Sequence, residues 1–204
     1  NLVSISWQQL IPVLASLTKK YRHKIKSVEE LRKIIGPRPR KKKVIMCHGV
    51  FDVVHPGHLR HLLYAKSKAD ILIASITADA HISKGQYRPH IPQDLRALNL
   101  AAFEIVDYVI IDLEATPLKN ISKLQPDFFA KGYEYTAGSA EANSAAAKTH
   151  EEKEVLESYG GEIIFTPGDI VYSSTKLIDL APPSIRLEKL LSLMDLEKLT
   201  FDSL

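Results

Sequence analysis

The residues best suited to chemistry lie in one short run, Cys47-His-Gly-Val-Phe-Asp-Val-Val-His55-Pro-Gly-His58, where two imidazoles stand three residues apart. An apolar run precedes it and an amphipathic stretch follows, so it reads as the turn between a strand and a helix. Such a turn binds anions. The new helix offers unpaired amides and a positive dipole end, and Gly57 lets backbone approach a ligand closely. With both rings facing one pocket, the run would clamp phosphate oxygens. Taken alone, the histidines also fit ordinary turn and helix positions, or half of a metal site.

Around this run, short apolar segments alternate with helical periods. Strands are expected at 44–47, 71–76, 108–111, 128–131 and 163–166, and helices at 57–68, 93–105 and 117–124. Five short strands separated by helix-length segments predict a doubly wound, Rossmann-like parallel α/β sheet with helices on both faces. Ser27-Val-Glu-Glu30 is a capping box opening a helix that stops at Gly36-Pro37, and residues 7–21 have helical spacing. The basic run 38–43 reads as a solvated linker. The Ala-, Glu- and Lys-rich residues 138–158 form either a surface helix or a lid, and a leucine-rich helical period follows Pro182-Pro183. The organisation expected is a helical N-terminal extension and linker (1–40), the main domain (41–181), and a C-terminal helix or linker (182–204).

With 204 residues, 45% of them hydrophobic, the chain can fill a real core. Its 27 basic and 24 acidic residues nearly balance, which argues against a nucleic-acid partner. No apolar stretch is long enough to span a membrane. A single cysteine, Cys47, rules out an intrachain disulfide and a multi-cysteine zinc site, and fits a reducing cytoplasm. No secretory leader is recognised at the start, and Asn1 in place of methionine suggests that residues precede it.

The segment Gly49-Val50-Phe51-Asp52-Val-Val-His55-Pro-Gly57-His58 resembles the GxFDxxHxGH turn of the cytidylyltransferase-like nucleotidyltransferases. Within that family the chain is most similar to the adenylyltransferase domain of the bifunctional heptose phosphate kinase/adenylyltransferases. Similar pieces are Lys84-Gly85 with Arg88-Pro89, Val106-Asp107, Pro126-Asp127, Lys131-Gly132-Tyr133-Glu134-Tyr135 and Ser173-Ser174-Thr175. The resemblance implies transfer of a nucleoside monophosphate from ATP or CTP to a sugar phosphate such as a heptose 1-phosphate, with release of pyrophosphate. His55, His58 and Lys84 would be catalytic. Gly49, Val50, Phe51, Gly57, Lys131, Gly132, Ser173, Ser174 and Thr175 would hold nucleotide, and His48, Asp52 and Arg88 would meet the acceptor. Magnesium would be held by the nucleotide phosphates and by no protein cluster. A homodimer, and a sugar-kinase domain in a longer chain, are also implied.

Each residue has a plainer reading: Lys84 as a surface lysine, Arg88 and Arg96 as partners of surface carboxylates, Ser174 and Thr175 as a helix cap. His23, His61, His81, His90 and His150 show no ligand spacing and read as surface or packing residues. Two departures bear on the acceptor. Cys47-His48 stands where the heptose-type domain commonly has Thr-Asn, and residues 136–161 are longer than expected. An alditol phosphate or phosphonate with CTP is therefore the alternative acceptor class, and a nucleotide-binding domain without turnover is the non-enzymatic one.

Overall fold

The computed structural model describes residues 18–82, 88–132 and 142–166. Its strands are β1 (Val44–Gly49), β2 (Ile71–Thr77), β3 (Tyr108–Asp112), β4 (Phe128–Gly132) and β5 (Glu162–Thr166). Its helices are α1 (Val28–Ile35), α2 (Pro56–Lys66), α3 (Gln93–Ala101), α4 (Leu118–Leu124) and α5 (Ala142–Glu157). All strand pairs are parallel, in the order β3-β2-β1-β4-β5. The strands are continuous apolar runs because both sheet faces are covered. On one face, Leu62 and Ala65 of α2 and Ala97 and Leu100 of α3 pack with Ile45, Cys47, Leu72 and Ala74. On the other, Leu31 of α1, Ile121 of α4 and Leu156 of α5 pack with Val44, Met46, Ile73 and Phe129. This is the Rossmann-like architecture expected. Strand order reverses between β1 and β4, and in open parallel sheets the crevice beyond the strand C-terminal ends at such a reversal is where ligands bind.

The first four strands run one or two residues past the expected ends. Their last pairs, Gly49 with Ile76, Thr77 with Asp112 and Gly132 with Thr166, involve residues that interrupt the apolar pattern but stay in register. Helix α3 stops at Ala101 rather than 105. There Lys24 Nζ donates to the carbonyls of Phe103 and Val106 at 2.9 and 2.8 Å, and Asp107 turns in to accept from Leu72 N at 2.7 Å. The capping box of α1 is present, with Glu30 N donating to Ser27 Oγ and Ser27 N to Glu30 Oε2. Leu31 and Ile35 place α1 within the second core cluster.

The basic run 38–43 is not a solvated linker. Arg38, Arg40 and Lys43 converge on Asp127 at 3.5, 3.7 and 3.5 Å, and the Arg40 side chain is only 6% exposed. Arg40 also donates to the carbonyls of Leu124 and Gln125 where α4 ends, and Asp127 accepts from Val44 N at 2.9 Å. The run is thus a strap across the N-terminal end of the sheet, with Arg38, Arg40 and Lys43 gathered on one buried carboxylate while Lys41 and Lys42 face solvent. Helix α5 is neither loosely placed nor purely superficial, since Leu156 is fully buried and Glu152 nearly so. Most of the expected helix at 7–21 and all of residues 182–204 lie outside the described residues, and residues 18–22 are helical. Among the described residues no helix is long and apolar enough to cross a membrane.

Replacing Asp127 by alanine leaves three cations beside an empty site and should lower stability by about 3 kcal/mol. Urea denaturation would measure this; an unshifted midpoint would mean that the strap contributes nothing.

Candidate active site

Leaving β1 at Gly49, the chain bends through Phe51, whose φ of 50° is left-handed. A bulky residue adopts that conformation at a cost of roughly 1–3 kcal/mol. Burial offsets it here: Phe51 is 4% exposed and packs in the core. Its ring lies so close to Gly49 that an added Cβ would meet it at 3.3 Å, which explains the glycine. On the other side the Phe51 ring stands 5.1 Å from that of His58.

Helix α2 begins with His55 as its N-cap and Pro56 in its first turn. His55 Nδ1 accepts from Gly57 N at 3.1 Å, so the neutral ring carries its proton on Nε2. His58 Nδ1 lies 3.4 Å from His55 N, and the two ring centroids are 3.9 Å apart. The pair is therefore built into the helix cap itself. Burial lowers the pKa of His55. That of His58 falls to about 4, chiefly through burial and then through neighbouring His55 and His61, partly offset by a backbone contact with Val53. Near neutral pH the rings are uncharged hydrogen-bond donors set beside the free amides of a helix start.

Other expected residues have different work. Asp52 is 1% exposed, and its carboxylate accepts from the backbone amides of His90 and Ile91 at 3.1 and 2.9 Å. It fastens the approach to α3 and does not face an acceptor as expected. Arg96 is fully buried. It donates to the carbonyls of Ile91, Val50 and Thr77 at 2.9, 2.5 and 2.9 Å, and to Asp79 Oδ1 at 2.5 Å, so it grips the protein and is unavailable to a phosphate. Val50 thus meets Arg96 through its carbonyl. Arg88 keeps one buried guanidinium nitrogen without a hydrogen-bond partner, a donor left over for an anion.

His48, at the end of β1, is set into a polar seam. Its Nδ1 is 2.9 Å from Ser75 Oγ and 3.8 Å from Asp112 Oδ2, and its Nε2 is 3.3 Å from Thr77 Oγ1. Burial, then the charge of Lys131, lowers its pKa to about 4, while burial raises that of Asp112. His48 is therefore neutral, and its approach to Asp112 is not an ion pair. Lys131, near the end of β4, donates to Glu152 of α5.

His61 is a residue that sequence reasoning set aside. Its Nδ1 is 2.5 Å from Thr166 Oγ1, which in turn donates to the Lys131 carbonyl at 3.1 Å, so it ties α2 to β5 and β4. The signal was its spacing of one further helical turn beyond His58. Lys84, Ser173, Ser174 and Thr175 lie outside the described residues.

The turn lies at the reversal point of a parallel sheet, where folds of this kind bind their ligands, and similarity to known proteins places the chain among the nucleotidyltransferases. The cytidylyltransferase-like family model matches residues 46–180, and the chain belongs to that family. Among curated relatives, the chain is similar to the bifunctional protein HldE of Geobacter metallireducens, 37% identical over 159 residues, which is 76% of this chain and 30% of that protein. HldE of Campylobacter concisus is 41% identical over 123 residues, 59% of this chain and 26% of that protein. The chain thus spans about a quarter to a third of the length of these relatives. Two solved structures share the fold. One is a lipopolysaccharide core biosynthesis protein of Thermoplasma volcanium, with TM-score 0.51 and 22% identity, covering 63% of this chain and 99% of that one. The other is a pantoate-beta-alanine ligase of Francisella tularensis, with TM-score 0.52 and 14% identity, covering 80% and 76%.

The buried imidazoles also set a pH response. Unfolded, they take up protons near pH 6.5; folded, His48, His58 and His61 resist until about 4. Protons then bind the unfolded chain preferentially, so stability falls as pH drops from about 7 towards 4. Replacing His61 by glutamine should flatten the dependence of the urea midpoint on pH; an equally steep fall would contradict this origin.

Proposed function

We propose that this domain transfers a nucleoside monophosphate from ATP or CTP to a small phosphorylated acceptor, a sugar 1-phosphate of the heptose kind, releasing pyrophosphate. The observation that supports it best is the closely apposed His55–His58 pair, built into the start of α2 at the β1–β4 reversal point. The similarity to HldE proteins favours a sugar phosphate as acceptor.

An oxygen of the acceptor phosphate attacks the α-phosphorus in line. As that P–O bond forms, the bond to the bridging α–β oxygen breaks, and pyrophosphate leaves with the electron pair. The nucleotide passes directly to the acceptor, so no enzyme side chain forms a covalent bond. The chain contributes positioning and preorganised donors. In this reading His55 donates through Nε2 and His58 from the adjacent ring to phosphate oxygens, where negative charge develops. Lys84 and Lys131 add positive charge, Gly49, Gly57 and Gly132 give the nucleotide close backbone approach, and Ser173, Ser174 and Thr175 anchor the departing pyrophosphate. Arg88 suits the acceptor phosphate, since a guanidinium nitrogen is already desolvated and unpaired.

Magnesium fits as an ion carried in by the triphosphate, where it would neutralise phosphate charge. Among the described residues no group of three His, Cys, Asp or Glu side chains could hold a metal, and the carboxylate of Asp52 is bonded to backbone amides.

Replacing His58 by alanine should lower kcat by about 100-fold or more, the usual effect of losing a preorganised oxyanion donor. Pyrophosphate release from a panel of nucleoside triphosphates with heptose, hexose and alditol phosphates measures this and identifies both substrates. Unchanged turnover in the variant would sink the assignment, and triphosphate binding without pyrophosphate release on any acceptor would favour a binding domain.

A further inference from the structure

Helix α5 brings a carboxylate to the sheet edge that the chemistry above does not use. Glu152 Oε2 accepts a hydrogen bond from Lys131 Nζ, and the side chains are 9% and 8% exposed. Fold stability alone does not call for such a pair, because well-packed apolar residues in place of a buried ion pair are often as stable or more so. Its position is more informative. Lys131 lies at the C-terminal end of β4, which pairs directly with β1 across the reversal point. Its charge is felt at His48, immediately before Gly49 and the histidine turn, where it opposes protonation. An ammonium on a flexible four-carbon stem is a poorly fixed charge unless something holds it. Glu152 can do so, because Val155 and Leu156 seat the next turn of α5 against the core.

We propose that Glu152 is a positioning residue for the nucleotide: by holding the Lys131 ammonium beside the β1–β4 crevice, it sets where that charge meets the triphosphate. The inference rests on the reading of Lys131 as a nucleotide-binding residue. A lone carboxylate would repel a polyanion, so Glu152 contributes direction and only Lys131 contributes attraction. Loss of Glu152 therefore weakens binding only while Lys131 is present.

The test is calorimetric titration of the full chain with MgATP and MgCTP in the wild type, K131A, E152A, E152Q and K131A/E152A. Losing a charge-assisted contact should weaken binding about tenfold in K131A. E152A should lose about fivefold or more alone, and less than about twofold when added to K131A, as for two residues acting through one contact. E152Q keeps an oxygen acceptor of the same shape and should fall between E152A and the wild type. A purely structural role for Glu152 would lower the melting temperature and weaken binding equally in both backgrounds. That equal loss, or wild-type or tighter binding by E152A and E152Q, overturns the proposal. Should E152A fail to fold, E152Q and K131A/E152Q give the same comparison. If K131A binds like the wild type, the assignment of Lys131 falls and the inference with it. Failure of the wild type to bind either triphosphate would overturn the functional reading itself.

Discussion

A guanidinium sealed inside a protein must find acceptors for its N–H groups, because an unpaired buried charge is far costlier than any exposed one. Arg96 meets this demand with three backbone carbonyls and one carboxylate, drawn from three separate places in the chain. Val50 lies in the turn after β1, Thr77 ends β2, Asp79 follows it, and Ile91 precedes α3. Planarity matters here: the fork presents donors in fixed directions, so satisfying it fixes the mutual placement of these loops. The histidine turn is therefore braced from below by a charge that never meets a ligand. Asp52 makes the complementary brace, a carboxylate holding the amides of His90 and Ile91. Together they join the segment carrying His55 and His58 to the segment that follows Arg88.

Rigidity of this kind suits a reaction whose catalysis is mainly electrostatic. Preorganised donors act without reorienting as charge develops, and they act more strongly where water is excluded. Paired imidazoles at the start of α2 fit that requirement better neutral than charged. Protonated, two rings with centroids 3.9 Å apart would repel each other and the positive end of the helix. Neutral, His55 accepts an amide hydrogen bond on one side and presents a donor on the other. Burial, by depressing their pKa, keeps them in the useful state.

Periodicity made the sheet, its strand count and the helix on each face legible, because apolar burial writes itself into sequence spacing. The strand ends were less legible for a related reason. His48, Thr77 and Asp112 interrupt the apolar pattern, yet they remain in the ladder, where polar tips belong beside a ligand crevice. Motif spacing singled out His55 and His58, which the structure brings together at the start of α2, but side-chain chemistry alone could not say what Asp52, Arg96 or the basic run 38–43 bind. An isolated aspartate or arginine reads the same in sequence whether it grips phosphate or a backbone carbonyl 46 residues away, as Arg96 grips Val50. Tertiary placement decided each in favour of structure. Lys131 escaped the same ambiguity only in part, since nothing in sequence paired it with Glu152.

The departure at His48 is better understood as a change of neighbourhood than of one residue. An imidazole buried at the end of β1 needs a partner for each ring nitrogen, and parallel register supplies them: Ser75 lies directly opposite His48, and Thr77 is the next residue on the same face of β2. Asp112, opposite Thr77 on β3, extends the seam, with Oδ2 lacking a hydrogen bond and 3.8 Å from His48 Nδ1. An asparagine in place of His48 would be too short to engage both hydroxyls as the ring does. The two hydroxyls would then need other partners, so a histidine at this position is tied to what β2 carries. On the neighbouring strand β4 the seam ends at Lys131, whose charge adds to burial in keeping His48 neutral. The ends of β1, β2 and β3 thus carry a polar layer whose members constrain one another, so no one of them can be exchanged without changing what its neighbours must bond to.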